Sequence, residues 1–256
     1  MRLAVLSDIH GNLTAFEIAW ADVLAQGEFD HIWILGDLSA FGSRPAECVQ
    51  RVRELKESIG KEKFQVIGGN TDRYLVNGTR PKMPSAKDEE AFKKLGQIWQ
   101  GRDTSLNWSV ERLSWDDYEF LKGIRNREVG LNAKGYGQVI GYHGIPGDDE
   151  ANALAPDTAD ETALDALLDR EGRMGIGGHT HLQMDRDLGQ WRAINVGSVG
   201  WSFGAPGMAE WGLFTFDNGT ATVDLRRIPY DVDAAVQDFA AVNHPAPDFF
   251  TRRLGR

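Results

Sequence analysis

The chain has a single cysteine, Cys48, in 256 residues. One cysteine cannot build a disulfide framework or a zinc motif of paired cysteines. No apolar run approaches the ~18 residues that a membrane-spanning helix needs, so no membrane partner is expected. Basic residues are the minority charge: 28 Lys and Arg stand against 38 Asp and Glu, for a net charge of −10. That argues against extended nucleic-acid binding, which needs a basic footprint. It leaves a phosphate substrate open, because a local cation cluster can reverse the sign inside one cleft. The first apolar run begins at Leu3, so no signal peptide is expected. A reducing cytoplasm is therefore the expected location. No internal repeat, low-complexity tract or interdomain linker is visible.

What is present is an ordinary globular composition, with 41% hydrophobic and 26% charged residues. One domain covering 1–256 is the simplest division. Leu3–Leu6, His31–Leu35 and Phe64–Ile67 are short apolar runs that read as buried strands. Between them, Leu13–Ala25 and Pro45–Ile59 carry apolar residues at helical spacing, the second with proline at its start. Strand and helix alternate, which is the α/β pattern with right-handed crossovers. Residues 75–123 break that rhythm and form a helical insert. A loop with Gly78, Pro81 and Pro84 leads to predicted helices over 86–100 and 105–113. A third starts at Ser114, where Asp117 completes a capping-box variant. The insert is rich in aromatics (Trp99, Trp108, Trp115, Tyr118, Phe120), expected to pack on the domain edge rather than to form a lid.

Further strands are expected at 125–129, 138–142, 173–177 and 191–196. A helix is expected over 158–168, with Leu164, Leu167 and Leu168 on one face. Asn218-Gly219 between two strand-like runs, 211–216 and 220–225, signals a type I′ hairpin. Val232–Val242 reads as a closing helix, and 252–256 as a frayed basic end.

Chemistry-bearing residues gather where these strands end. Asp8 and His10 follow the first strand, Asp37 the second, Asn70 the third, His143 a later one, and His179 and His181 another. In open α/β sheets, ligands sit beyond the carboxyl ends of strands. A lone aspartate there is usually a turn residue. The repetition at five strand ends, mostly beside glycine, is what points to a site. Oxygen and imidazole donors suit divalent transition metals, and buried polar groups of this kind need a neutralising partner.

The segments Asp8-x-His10, Gly36-Asp37, Gly69-Asn70-x-Asp72, His143-Gly144 and Gly178-His179-x-His181, in this order, resemble the calcineurin-like metallophosphoesterase superfamily. Within it they resemble the small prokaryotic phosphodiesterase branch. Asn195-Val-Gly-Ser-Val-Gly200 is similar to that branch's glycine-rich loop. The resemblance spans roughly residues 3–200. It implies a four-layer α/β sandwich of two mixed β-sheets flanked by helices. It also implies a dinuclear centre: Asp8, His10, Asp37 and His181 on one ion, and Asp37, Asn70, His143 and His179 on the other. Asp37 would bridge, and Asp37, Asn70 and His143 would be the catalytic residues.

The implied cofactors are two divalent ions (Mn, Fe, Zn, Co or Ni, with Mn preferred). Two such ions, two aspartates and a hydroxide leave about +1 in the pocket, which attracts phosphate. The implied activity is phosphodiester hydrolysis of small phosphoesters by hydroxide formed between the metals. A dinucleoside polyphosphate hydrolase, a phosphomonoesterase, or a catalytically weak scaffold of the same fold are the alternatives, and a homo-oligomer is possible.

Two departures matter. Many members of the family have histidine after the metal-binding asparagine, where this chain has Thr71, a poor general acid. The Asp-Arg-Gly signature of protein phosphatases is absent after Asp37. Arg44 and Arg73 lie beyond ligand motifs, where surface solvation is the expected role. Trp201 and Phe203 are expected to pack in the core or at an edge, with base stacking as the alternative.

Overall fold

The computed structural model describes residues 1–81, 85–125 and 127–255. Pro84 of the expected loop, Asn126 of an expected strand and Arg256 of the expected tail lie outside the described residues.

The first sheet contains β1 (Arg2–Leu6), β2 (His31–Ile34), β3 (Phe64–Val66), β9 (Met208–Asp217) and β10 (Thr220–Pro229), in the order β10-β9-β1-β2-β3. β1, β2 and β3 are parallel, and β9 and β10 run antiparallel. The second contains β4 (Val129–Ala133), β5 (Gly137–Gly141), β6 (Met174–Gly177), β7 (Met184–Asp187) and β8 (Arg192–Asn195), in the order β4-β5-β6-β8-β7. Its central strands β5, β6 and β8 are parallel and both edges are antiparallel. The two mixed sheets are the expected architecture.

β1 shows how the layers form. Successive side chains on a strand point to opposite faces. Leu3 and Val5 pack between the sheets with Trp33, Val139, Ile176 and Phe214. Ala4 and Leu6 pack on the other face with Phe16, Trp20, Val49 and Val52. Those residues belong to α1 (Leu13–Ala25) and α2 (Pro45–Ile59). Behind the second sheet, Ile140, Tyr142 and Trp191 meet Ala163 of α6 (Asp160–Asp165).

Several boundaries differ from expectation. A short helix, α3 (Asn70–Asn77), begins at the third strand end. The two helices expected over 86–113 are one, α4 (Glu89–Arg112). Gly101 does not break it: a side chain there would crowd the Phe249 ring, so the glycine permits a close approach. α5 (Trp115–Ile124) starts at the expected Ser114 cap, where the Asp117 amide donates to Ser114 Oγ and the Asp117 carboxylate accepts from the Ser114 amide. The insert's aromatics divide. Trp108 is buried, Tyr118 and Phe120 are half-buried, and Trp99 and Trp115 are exposed.

The strand expected at 125–129 lies at 129–133. β7 was not expected, because its Met-Asp-Arg-Asp pattern has no apolar run. The helix expected over 158–168 is limited to 160–165, and Leu168 points to solvent. The hairpin after β9 forms as expected, with φ of 48° at Asn218 and 78° at Gly219. After α7 (Val232–Ala241) comes an unexpected helix, α8 (Pro247–Thr251). Residues 252–255 are not frayed: Leu254 is buried, and its amide donates to the Thr251 carbonyl. Among the described residues, no helix is long and apolar enough to cross a membrane.

Candidate metal centre

The strand ends carry unusual backbone. Asp8, His10, Asp37, His179 and His181 all have φ between 52° and 67°, the left-handed region that L-residues avoid. Each such residue costs about 1–3 kcal/mol, and such strain concentrates at functional sites. The surrounding hydrogen bonds enforce it. The amides of Asp8, His10 and Gly11 donate to the Gly36, Asp37 and Leu38 carbonyls, zipping the first two strand ends together. Gly178 has no room for a side chain, since a Cβ would run into Ser7 Oγ and the Asp8 carboxylate.

All seven candidate side chains meet at this point. Donor atoms of Asp8, His10, Asp37 and His181 lie within 4.8 Å of one another, and all four residues are buried. Asn70 Oδ1 is 3.0 Å from His143 Nε2 and 2.9 Å from His179 Nδ1. Asp37 lies between the two groups, its Oδ2 being 3.6 Å from His10 Nε2 and 3.4 Å from His143 Nε2. Its Oδ1 accepts the Thr71 amide at 2.9 Å.

The outer ring nitrogens set the tautomers. His10, His143 and His181 place Nδ1 at 3.2, 2.7 and 2.8 Å from the carbonyls of Ala40, Leu35 and Trp201. His179 instead places Nε2 at 3.1 Å from the Glu150 carbonyl. A carbonyl only accepts, so each of these nitrogens carries the proton and the opposite nitrogen bears the lone pair. The bare Nε2 atoms of His10 and His181 then face each other at 3.0 Å. Asn70 Oδ1 likewise faces two acceptor nitrogens. Asp8 Oδ1 is fully buried and lacks a well-angled hydrogen bond, although His181 Nε2 is 3.1 Å away. Acceptors converging on acceptors need either added protons or a cation between them, and mixed carboxylate, amide and imidazole donors fit a divalent transition metal.

Without a cation, protons compensate. Burial alone would lower the His143 imidazole, but the Asp37 and Asp8 carboxylates outweigh it and push it up to about 10. Burial and the His143 charge push His179 down to about 4. Burial opposes ionisation of Asp8 and Asp37, yet the surrounding imidazoles hold both below the usual carboxylate range. Near neutral pH a metal entering the cluster would displace the extra proton of His143.

Residues 1–219 match the calcineurin-like phosphoesterase superfamily domain. The chain belongs to that superfamily. An uncharacterized protein of Methanocaldococcus jannaschii is 25% identical over 98% of this chain and 96% of its own length. A symmetrical bis(5'-nucleosyl)-tetraphosphatase of Sodalis glossinidius is 33% identical, but over only 30% of this chain and 25% of that protein. Among solved structures, a metallophosphoesterase from Sphaerobacter thermophilus superposes with a TM-score of 0.70 at 21% identity, covering 99% of this chain and 98% of the other. A hypothetical protein from Pyrococcus horikoshii superposes with a TM-score of 0.77 at 20% identity, covering 100% and 99%. Membership in a metallophosphoesterase family and the buried Asp/His cluster agree on divalent-metal binding and phosphoester hydrolysis.

Around this calcineurin-like centre, support comes from residues that sequence reading placed poorly or missed. Among the described residues, no hydrogen bond joins the Asp72 carboxylate to Asn70 or to a histidine. The carboxylate caps α3 through the Gly69 amide at 3.0 Å and also accepts the amides of Asp37 and Leu38 at 2.8 and 3.0 Å. Burial and the nearby Asp37 carboxylate push it up to about 7. In the glycine-rich loop, Ser198 Oγ donates to the Asp8 carbonyl, and Asn195 Nδ2 donates to the Gly178 carbonyl. Asn12 caps α1 at the Ala15 amide and donates to the Gly200 carbonyl. Only an Asx-type turn pattern could have suggested these roles in advance.

Arg44 and Arg73 are not free surface cations. Arg44 is bidentate on Asp238, and Arg73 bonds Asp149 and Glu150. Where many superfamily members carry histidine, the buried Thr71 Oγ1 has no hydrogen-bond partner. Trp201 is buried and lies 5.6 Å from the His10 ring, whereas Phe203 is 42% exposed and lies 4.5 Å from the His181 ring.

Proposed function

We propose that this chain is a dinuclear-metal-dependent phosphodiesterase acting on small phosphoesters, with manganese as the preferred ion. Asp8, His10, Asp37 and His181 would hold one ion. Asp37, Asn70, His143 and His179 would hold the other. The position of Asp37 carries this reading: its Oδ2 lies 3.6 Å from His10 Nε2 and 3.4 Å from His143 Nε2, nearer to His143 than the Asp8 carboxylate at 4.0 Å, and a bridging ligand must face both groups in this way. Bound divalent ions would supply a nucleophile from water near neutral pH and offset charge on the phosphoryl oxygens.

The chain's own residues do the rest. The carbonyls of Leu35, Ala40, Trp201 and Glu150 fix each imidazole in one tautomer, which keeps its ligating nitrogen inward. Asp72 holds the Asp37 backbone in its strained turn. Asn70 contributes an oxygen without adding negative charge, so the pocket remains attractive to a phosphoryl group. Thr71 cannot usefully protonate a leaving group, so activated esters should be the better substrates. A cytoplasmic setting belongs to the same proposal.

Metal analysis of the purified protein, together with p-nitrophenyl phosphate and bis(p-nitrophenyl) phosphate assays in Mn²⁺, tests the reading. Bound metal with faster diester cleavage supports it. Faster monoester cleavage reassigns the enzyme to the phosphomonoesterases. Metal-free, inactive protein favours a scaffold. A dinucleoside polyphosphate hydrolase is the second reading, supported by the short matches to symmetrical bis(5'-nucleosyl)-tetraphosphatases.

A further inference from the structure

We propose that Arg253 forms a subsite for a second phosphate group beside the His10–His181 half of the centre, so that esters bearing a phosphate chain are preferred over esters with a single phosphorus. The inference rests on the phosphoesterase reading above.

Position is the first argument. The Arg253 guanidinium lies over the rings of Phe203 and Trp201, 5.1 and 5.3 Å from their centroids. Those rings line the centre, since Phe203 packs on His181, and Trp201 on both His10 and His181. The Phe203 amide also donates to the His181 carbonyl at 3.1 Å. Arg253 therefore stands one aromatic ring away from a candidate ligand.

Construction is the second. The terminal turn is anchored from several sides. Phe250 is fully buried and stacks on Trp201 at 4.8 Å, and Trp201 Nε1 donates to the Phe250 carbonyl. The Arg253 amide donates to that same carbonyl, and Leu254 is buried beyond it. Gly255, with a φ of 87°, lies against Pro206, where a Cβ would be 3.0 Å from the proline ring. The segment is held in place although its charged side chain is exposed.

Charge is the third. Arg44, Arg73 and the neighbouring Arg252 each hold a carboxylate. Among the described residues, no carboxylate pairs with Arg253. A guanidinium resting its face on aromatic rings keeps its in-plane N–H groups available, and that fork matches phosphate oxygens. The opposite half of the centre adjoins Asp148, Asp149 and Glu150, three carboxylates against the single guanidinium of Arg73, an excess of negative charge that disfavours a phosphate chain. A chain leaving the centre is therefore directed towards Arg253.

The test compares wild type, R253A, R253Q and R253K in Mn²⁺ on bis(p-nitrophenyl) phosphate and diadenosine tetraphosphate. The tetraphosphate is scored as a substrate or, where it is not cleaved, as a competitive inhibitor of diester hydrolysis. Loss of a charge-assisted hydrogen bond predicts about a tenfold fall in tetraphosphate selectivity relative to the diester in R253A and R253Q, through KM or Ki rather than kcat. R253K should recover part of it. Equal selectivity in wild type and R253A, or a wild type indifferent to the tetraphosphate, overturns the proposal. Should wild type cleave neither compound, the phosphoesterase reading fails. The subsite is then decided by calorimetric titration with tripolyphosphate: about tenfold weaker binding to R253A sustains it, and equal binding overturns it.

Discussion

The two halves of the centre are walled differently. His10 and His181 are backed by Phe41, Trp201 and Phe203, rings that exclude water and carry no charge. His143 and His179 adjoin an acidic loop clamped by Arg73, and the Glu150 carbonyl in that loop fixes the His179 ring. Both halves fix their imidazoles on backbone carbonyls, but one is walled by aromatic packing and the other by ion pairs. Asp37, facing both, is where they depend on each other.

Replacing that shared group is the strongest way to break the comparison. Asp37→Asn should empty both halves of metal, as measured by elemental analysis. Activity should fall by more than the about 10–100-fold that loss of an outer partner costs. Near-wild-type turnover in this variant would mean that the halves are independent. The next effect concerns the charged half, where Thr71 replaces an acid. Wild type should cleave aryl diesters about 100-fold or more faster than matched alkyl diesters, the span that general-acid help usually covers. Equal rates would reveal a proton donor on that side.

Asp72→Asn tests the brace beneath both halves. It sets an amide N–H against one or more of the three backbone donors. A loss of about 2 kcal/mol in urea unfolding is expected, with weakened metal retention. An unchanged midpoint would remove Asp72 from this role.

The smallest effect serves as a control remote from both halves. Hydrogen bonds from Arg226 hold the Asp22 carboxyl below its ordinary value of 3.8. A depressed carboxylate contributes stability that is present above that value and lost as pH falls through the lower folded-state value. Asp22→Asn should therefore cost about 1 kcal/mol or less at neutral pH. In thermal melts the gap to wild type should close below pH 3.8. A gap that persists in acid would show that charge is not its source.

The parts of the fold legible in the sequence are those with local causes. α1 has its expected limits because Asn12 caps it, and α2 because Pro45 starts it. β1 and β2 are apolar runs because both of their faces are buried. β4 and β7 escaped because they are edge strands with one wet face and no continuous run. The break expected between 100 and 105 does not occur, and Gly101 within it sits against the Phe249 ring, a contact far along the chain that no local pattern reveals. The seven candidate ligands stood out through repetition at strand ends. Asp72 and Ser198 lay within the quoted motifs, but the groups they hold were not legible, because those partners are backbone groups with no residue identity to read.

Sequence alone determined which donors this protein possesses and that each follows a strand, because strand-forming runs and turn residues are local properties of the chain. Tertiary structure alone decided which nitrogen of each histidine faces inward, that Asp37 serves both groups, and that Arg253 returns to the centre. Those facts depend on contacts between residues up to 108 positions apart, and only packing the two sheets together brings such residues within bonding distance.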